Sequence, residues 1–114
     1  MPSTARRRIE APAERPPIEE MKAHAADAAQ LLKALANEQR LLILCNLLEK
    51  PRTVGELNEC VDLSQSALSQ HLAVLRRKHL VRTRRDGQSI FYSLSSGEAA
   101  SIMHTLHEQF CRRR

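Results

Sequence analysis

The chain has 114 residues, a formal charge of +5 and an isoelectric point near 9.6. This supports one modest core rather than two and suits an anionic partner, nucleic acid above all, although only three aromatic residues, Phe91, Tyr92 and Phe110, and no tryptophan argue against reading single strands by base stacking. No apolar run of membrane-spanning length and no signal peptide are visible, so a cytoplasmic protein with no membrane partner is expected, in which three cysteines do not form a structural disulfide framework.

Residues 1–17 hold four of the five prolines and the run Arg6-Arg7-Arg8. They show no hydrophobic period and read as a disordered N-terminal arm ahead of a domain over 18–114. The arginines fit either phosphate contact or plain solvation. From Ile18, Met21, Ala25, Ala28, Leu32 and Leu35 recur at helical spacing. Such a face suits a dimer interface or a plain core equally. Asn37 can cap a second helix with Glu38 in its first turn. Leu41, Leu44, Cys45 and Leu48 give its expected buried stripe, and Pro51 ends it.

After a polar link at Arg52-Thr53, Val54, Leu57 and Val61 space as two helical turns. A break at Asp62-Leu63 leads into LSQSALSQHLAVLRRK, residues 63–78. Ser64 reads as the N-cap, and Leu63 with Leu68 as a hydrophobic staple. Leu68, Leu72 and Leu75 form the buried stripe. The opposite face carries Ser66, Ser69, Gln70, Ala73 and Arg77. Small polar groups there suit base edges in a major groove, and cations suit phosphates; an ordinary solvated face fits the helix taken alone. Two short helices with a tight break make a helix-turn-helix.

Beyond Leu80 the period becomes alternating. Asp86-Gly87 signals a type I′ hairpin, which pairs Arg85 with Gln88, Thr83 with Ile90, Val81 with Tyr92, Arg84 with Ser89 and Arg82 with Phe91. Arg76, Arg77, Lys78, Arg82, Arg84 and Arg85 then gather between the reading helix and the hairpin, placed to straddle phosphates beside the groove. Ser95 to Glu98 carries a capping-box pattern that opens a last helix. Its apolar stripe is Ala99, Ile102, Met103, Leu106 and Phe110, followed by Cys111 and Arg112-Arg113-Arg114. So long an apolar face in so small a domain is expected to pack on a second subunit. A twofold homodimer would set two reading helices on successive major grooves.

The blocks ALANEQRLLIL, VGEL, LSQSALSQHLAVLR and DGQSIFYSL resemble the ArsR/SmtB winged helix-turn-helix repressors over roughly residues 20–111. The resemblance implies a mainly α fold with a β-hairpin wing, in the order α1-α2-α3-α4-β1-β2-α5, and a homodimer through the first and last helices. The fourth helix would span 64–78 and the wing 81–94. It implies binding to double-stranded operator DNA, with base reading by Gln65, Ser66, Ser69 and Gln70 and with His71 close by. Arg77, Arg84, Arg85 and Gln88 complete the expected DNA-binding set.

Many members of the family sense metals. One family site is a Cys-x-Cys whose positions fall near Thr53-Val54-Gly55, where there is no cysteine. Another needs an Asp-x-His whose positions fall on Phe91 and Ser93; its His-x-x-His partner survives as His104 and His107. Two histidines alone are too few ligands for a metal site, so no metal and no cofactor are expected. The position of Cys45 in RLLILC and of Cys111 near the chain end resembles the thiol- and persulfide-sensing branch. That resemblance implies a Cys45–Cys111 dithiol that reactive sulfur species or oxidants convert to a polysulfide or disulfide, releasing DNA. From the residues alone, Cys45 reads more readily as a small core hydrophobe than as half of a redox pair. The expected order is Cys111 as the more exposed attacker and Cys45 as its resolving partner, with Cys60 a bystander. No Cys-x-x-Cys occurs, so a thiol enzyme is not expected. A metal-responsive repressor using the histidines of the last helix, or a winged-helix regulator without a thiol switch, is the alternative.

Overall fold

The computed structural model describes residues 17–95 and 97–111. The arm over 1–16, Arg6 to Arg8 included, and Arg112 to Arg114 lie outside the described residues. The elements run α1 Ile18–Leu35, α2 Glu38–Glu49, α3 Val54–Cys60, α4 Gln65–Arg77, β1 Val81–Asp86, β2 Ser89–Leu94 and α5 Glu98–Phe110. This is the expected winged-helix order. The chain divides into two compact units, Met1–Gln30 and Leu31–Arg114, with the boundary inside α1.

The described part of the first unit is helical and largely exposed, with Ile18 and Met21 open to solvent. Of the stripe expected along α1, only Leu35 is buried, and Leu32 is 57% exposed. Helical periodicity marks a face that wants covering but not what covers it.

In the second unit Asn37 caps α2 by accepting from the Arg40 N–H at 3.0 Å, and the Arg40 Nε donates back to the Ala34 carbonyl at 2.7 Å. The buried stripe of α2 is Ile43, Leu44 and Leu47. It is rotated from the expected set: Leu41, Cys45 and Leu48 are only partly buried at its margin. With leucine or isoleucine at 41 to 44 and again at 47 and 48, periodicity alone does not choose the face. α3 opens with a reciprocal cap. The Thr53 hydroxyl accepts from the Glu56 N–H at 3.2 Å, and the Glu56 carboxylate accepts from the Thr53 N–H at 3.0 Å. Leu57, Val61, Leu68, Leu72, Leu75, Leu80, Val81, Ala99 and Met103 complete the core.

The hairpin register differs from the expected one. Asp86 pairs with Ser89, Arg85 with Ile90, Arg84 with Phe91, Thr83 with Tyr92, Arg82 with Ser93 and Val81 with Leu94. The loop is Gly87-Gln88, and Gly87 takes φ 67. Glycine with positive φ at the first loop position is the type II′ arrangement, so the turn is set one residue later than a type I′ Asp-Gly. Each partner on β2 therefore moves by two, an even shift that keeps every side chain on its expected face.

α5 also starts differently. Its N-cap is Gly97, at φ 86, with no side-chain cap bond. Glu98 is the first helical residue, not the third, so the expected Ser95–Glu98 box has no geometry in which to close.

Candidate functional site

α4 begins where Ser64 accepts from the Ala67 N–H at 3.1 Å. The turn before it is tied by Asn58, whose Nδ2 donates to the Leu63 carbonyl at 2.8 Å. With Leu68, Leu72 and Leu75 buried, the opposite face turns outward. Gln65, Ser66, Ser69 and Gln70 line one open surface groove, all four exposed, and His71 is half-buried beside them. Donors and acceptors on short side chains along one helix face match the hydrogen-bonding edges of a major groove.

α4 ends in a double closure. His79 N–H donates to the Arg76 carbonyl at 3.0 Å and Leu80 N–H to the Leu75 carbonyl at 2.9 Å. This turns the chain straight into β1. A second groove, between α4 and β2, is lined by Ser69, Ala73, Arg76, Arg77 and Tyr92 among others. On the wing, the Arg84 guanidinium lies over the Phe91 ring, 5.5 Å from its centroid, and 3.8 Å from the Asp86 carboxylate. Arg85 Nη1 reaches the Gly87 carbonyl at 3.4 Å, and Gln88 sits exposed at the tip. The exposed Arg84–Asp86 pair adds little stability; its effect is to hold a cation on the wing surface.

The wing is rooted elsewhere as well. Arg52 and Tyr92 form an isolated antiparallel bridge, with Arg52 N–H to Tyr92 carbonyl at 2.9 Å and the return bond at 2.7 Å. In the sequence Arg52 reads as plain linker. A single bridging residue carries no period, and its one signal was its place directly after Pro51.

The two cysteines separated most widely in the sequence line the same pocket at a different place. Cys45, Asn46, Leu48 and Glu49 of α2 share a pocket of about 510 Å³ with His104, His107 and Cys111. A smaller, apolar pocket beside it also has both Cys45 and Cys111 in its walls. Cys45 is half-buried and Cys111 exposed. Burial, and then the nearby charge of Cys111, push the Cys45 thiol above its ordinary value. Cys60 is exposed at the end of α3 and lines neither pocket. His104 and His107 face the thiol pocket, but among the described residues no three side chains are gathered closely enough to hold a metal ion. Phe91 and Ser93 lie on β2, within the wing. Among the described residues no helix is long and apolar enough to cross a membrane.

Residues 37–83 match the family model described as "Bacterial regulatory protein, arsR family". The transcriptional activator HlyU of Vibrio cholerae serotype O1 is 53% identical over 95 residues, covering 83% of this chain and 88% of HlyU. The structure of reduced HlyU from Vibrio cholerae N16961 aligns with a TM-score of 0.77, covering 82% of this chain and 99% of that one. The transcriptional repressor BigR from Xylella fastidiosa also aligns with a TM-score of 0.77 at 39% identity, covering 86% of this chain and 100% of that one. Joined with the capped outward helix and its basic wing, these likenesses make the chain a winged-helix transcriptional regulator belonging to the arsR family of bacterial regulatory proteins.

Proposed function

We propose that this regulator is a homodimeric repressor that binds double-stranded operator DNA and releases it when Cys45 and Cys111 become linked. The observation that carries the reading is the sharing of one pocket by these two thiols. Gln65, Ser66, Ser69 and Gln70, with His71 beside them, read base edges; Arg77, Arg84, Arg85 and Gln88 engage the backbone. Exposed Leu32 and Phe110, on α1 and α5, supply apolar surface for a second subunit. A twofold pair grips two half-sites, and affinity rests on both engaging together.

The chemistry divides by exposure. Cys111 meets an incoming persulfide first. Its thiolate attacks the outer sulfur of RSSH, giving Cys111–S–SH and RS⁻. The Cys45 thiolate then attacks the Cys111 sulfur, forming Cys45–S–S–Cys111 and expelling HS⁻. The persulfide is the oxidant, and each step conserves charge and sulfur. The raised Cys45 thiol suits a resolving partner that stays protonated until its neighbour has reacted. Among relatives, HlyU is named an activator and BigR a repressor; repression is the reading taken for this chain.

The test is intact-mass analysis after treatment with persulfide, disulfide or peroxide, paired with duplex binding of each product. Loss of DNA should accompany the Cys45–Cys111 product and vanish in Cys45→Ser and Cys111→Ser. Release by persulfide in the doubly substituted protein would overturn the switch. The alternative, a metal-responsive repressor, requires stoichiometric zinc binding that His104→Ala abolishes, and among the described residues no group of three ligands favours it.

A further inference from the structure

We infer that Arg52 positions the wing according to the state of the thiol pocket, an inference that rests on the switch proposed above. Arg52 is held at both ends by different parts of the fold. Its side chain is only 12% exposed. The Nε donates to the Asn46 carbonyl at 3.0 Å, and an Nη2 pairs with the Glu49 carboxylate. Asn46 and Glu49 are themselves walls of the pocket that holds Cys45 and Cys111. Its main chain, meanwhile, exchanges two hydrogen bonds with Tyr92 of β2. Tyr92 pairs with Thr83 in the hairpin and faces Arg76 and Arg77 of α4 across the groove.

Each contact has a physical reason. α2 stops at Glu49 because Pro51 follows, which leaves the last carbonyls of the helix without intrahelical donors. Arg52 supplies one of those donors to Asn46. A guanidinium is a planar fork, so it can hold a carbonyl and a carboxylate at once, whereas an ammonium is a point charge on a flexible stem. Only Lys50 and Pro51 separate the pocket residue Glu49 from Arg52, and the proline ring fixes its own φ. Drawing the end of α5 onto α2 by a Cys45–Cys111 link loads the helical turn that carries Asn46 and Glu49. The guanidinium passes that displacement to the Arg52 main chain, and the bridge passes it to β2. The competing route is direct packing of α2 against α4 through the core, which does not involve Arg52.

The experiment compares the full-length wild type with Arg52→Met, Arg52→Lys and Glu49→Ala. The probe is a duplex selected from random sequence by the reduced wild-type protein. Kd is measured for the reduced form and for the form bridged with glutathione persulfide, with bridging verified by mass. Arg52→Met and Arg52→Lys are expected to bind within about threefold of wild type when reduced, while the ratio of bridged to reduced Kd falls by about tenfold. Glu49→Ala, a substitution at an exposed site, is expected to lower the ratio by about threefold. A ratio left intact in Arg52→Met, with both forms weakened alike, makes Arg52 merely structural and overturns the inference. Full retention of the ratio in Arg52→Lys does the same, because charge alone would then suffice. Should Arg52→Met fail to fold, an unchanged ratio in Glu49→Ala overturns it and a lowered one supports it. If bridging leaves the wild-type Kd unchanged, the switch itself fails and takes this inference with it.

Discussion

The side-chain amide of Asn58 donates to the main-chain carbonyl of Leu63 at 2.8 Å, so the helix-turn-helix angle is tied by a residue of its first helix. α3 has only seven residues, too few to hold that angle by its own helical cooperativity. Asn58→Ala leaves a part-buried carbonyl unpaired. It is expected to cost about 1–2 kcal/mol, read as a lower urea midpoint with an unchanged m-value, and to weaken duplex binding. Unaltered stability would mean that the turn holds itself.

The double closure at the end of α4 asks for a left-handed residue, and the chain supplies His79, at φ 62. A Cβ in that region costs about 1 kcal/mol, while glycine loses part of the gain through its freer unfolded chain. His79→Gly is therefore expected to stabilise by about 0.5 kcal/mol in chemical denaturation. A clear loss would show that the imidazole makes a contact worth more than the strain.

Burial and the Cys111 charge raise the Cys45 thiol above 9.0. The native protein then keeps a proton that the unfolded chain has released, so the unfolded state binds fewer protons in that window. The contribution to stability is fully present below pH 9.0 and is lost as pH rises from there through the folded value. Urea unfolding of reduced protein should show this decline, and Cys45→Ala should remove it. At neutral pH, iodoacetamide should modify exposed Cys60 and Cys111 ahead of Cys45.

Phosphate contacts and base contacts respond differently to salt. Replacing Arg77, Arg84 or Arg85 by alanine is expected to lower the slope of log Kobs against log salt by about one each, with little change in sequence preference. Gln65→Ala and Gln70→Ala should leave the slope alone and cost about 1–3 kcal/mol of discrimination at the base pairs they read. A slope near zero for the parent protein would argue for a protein partner instead of DNA.

The helix-turn-helix was legible because its signals are local. Ser64 caps, Leu68, Leu72 and Leu75 bury, and both follow from spacing within one helix. The failures came where a local signal was ambiguous. Thr53-Val54-Gly55-Glu56 and Ser95-Ser96-Gly97-Glu98 have the same capping-box form, yet only the first closes. Gly97 itself becomes the N-cap of α5 and pushes Ser95 out of reach. Asp86-Gly87-Gln88 allowed two loop settings, and the positive φ of Gly87 at the first loop position chose between them. In α2 the crowding of apolar residues hid which face is buried. The Arg52–Tyr92 bridge was not legible at all, since it joins residues far apart in the chain through main-chain atoms that every residue possesses.

That bridge also makes the wing a cantilever and not a hinged flap. Its root, near Tyr92, is clamped on one side by β1 and on the other by Arg52, whereas Gly87 and Gln88 at its free end are exposed. Deuterium should therefore enter the amides of the free end long before that of Tyr92, and accommodation to duplexes of different width should come from flexing beyond the clamp.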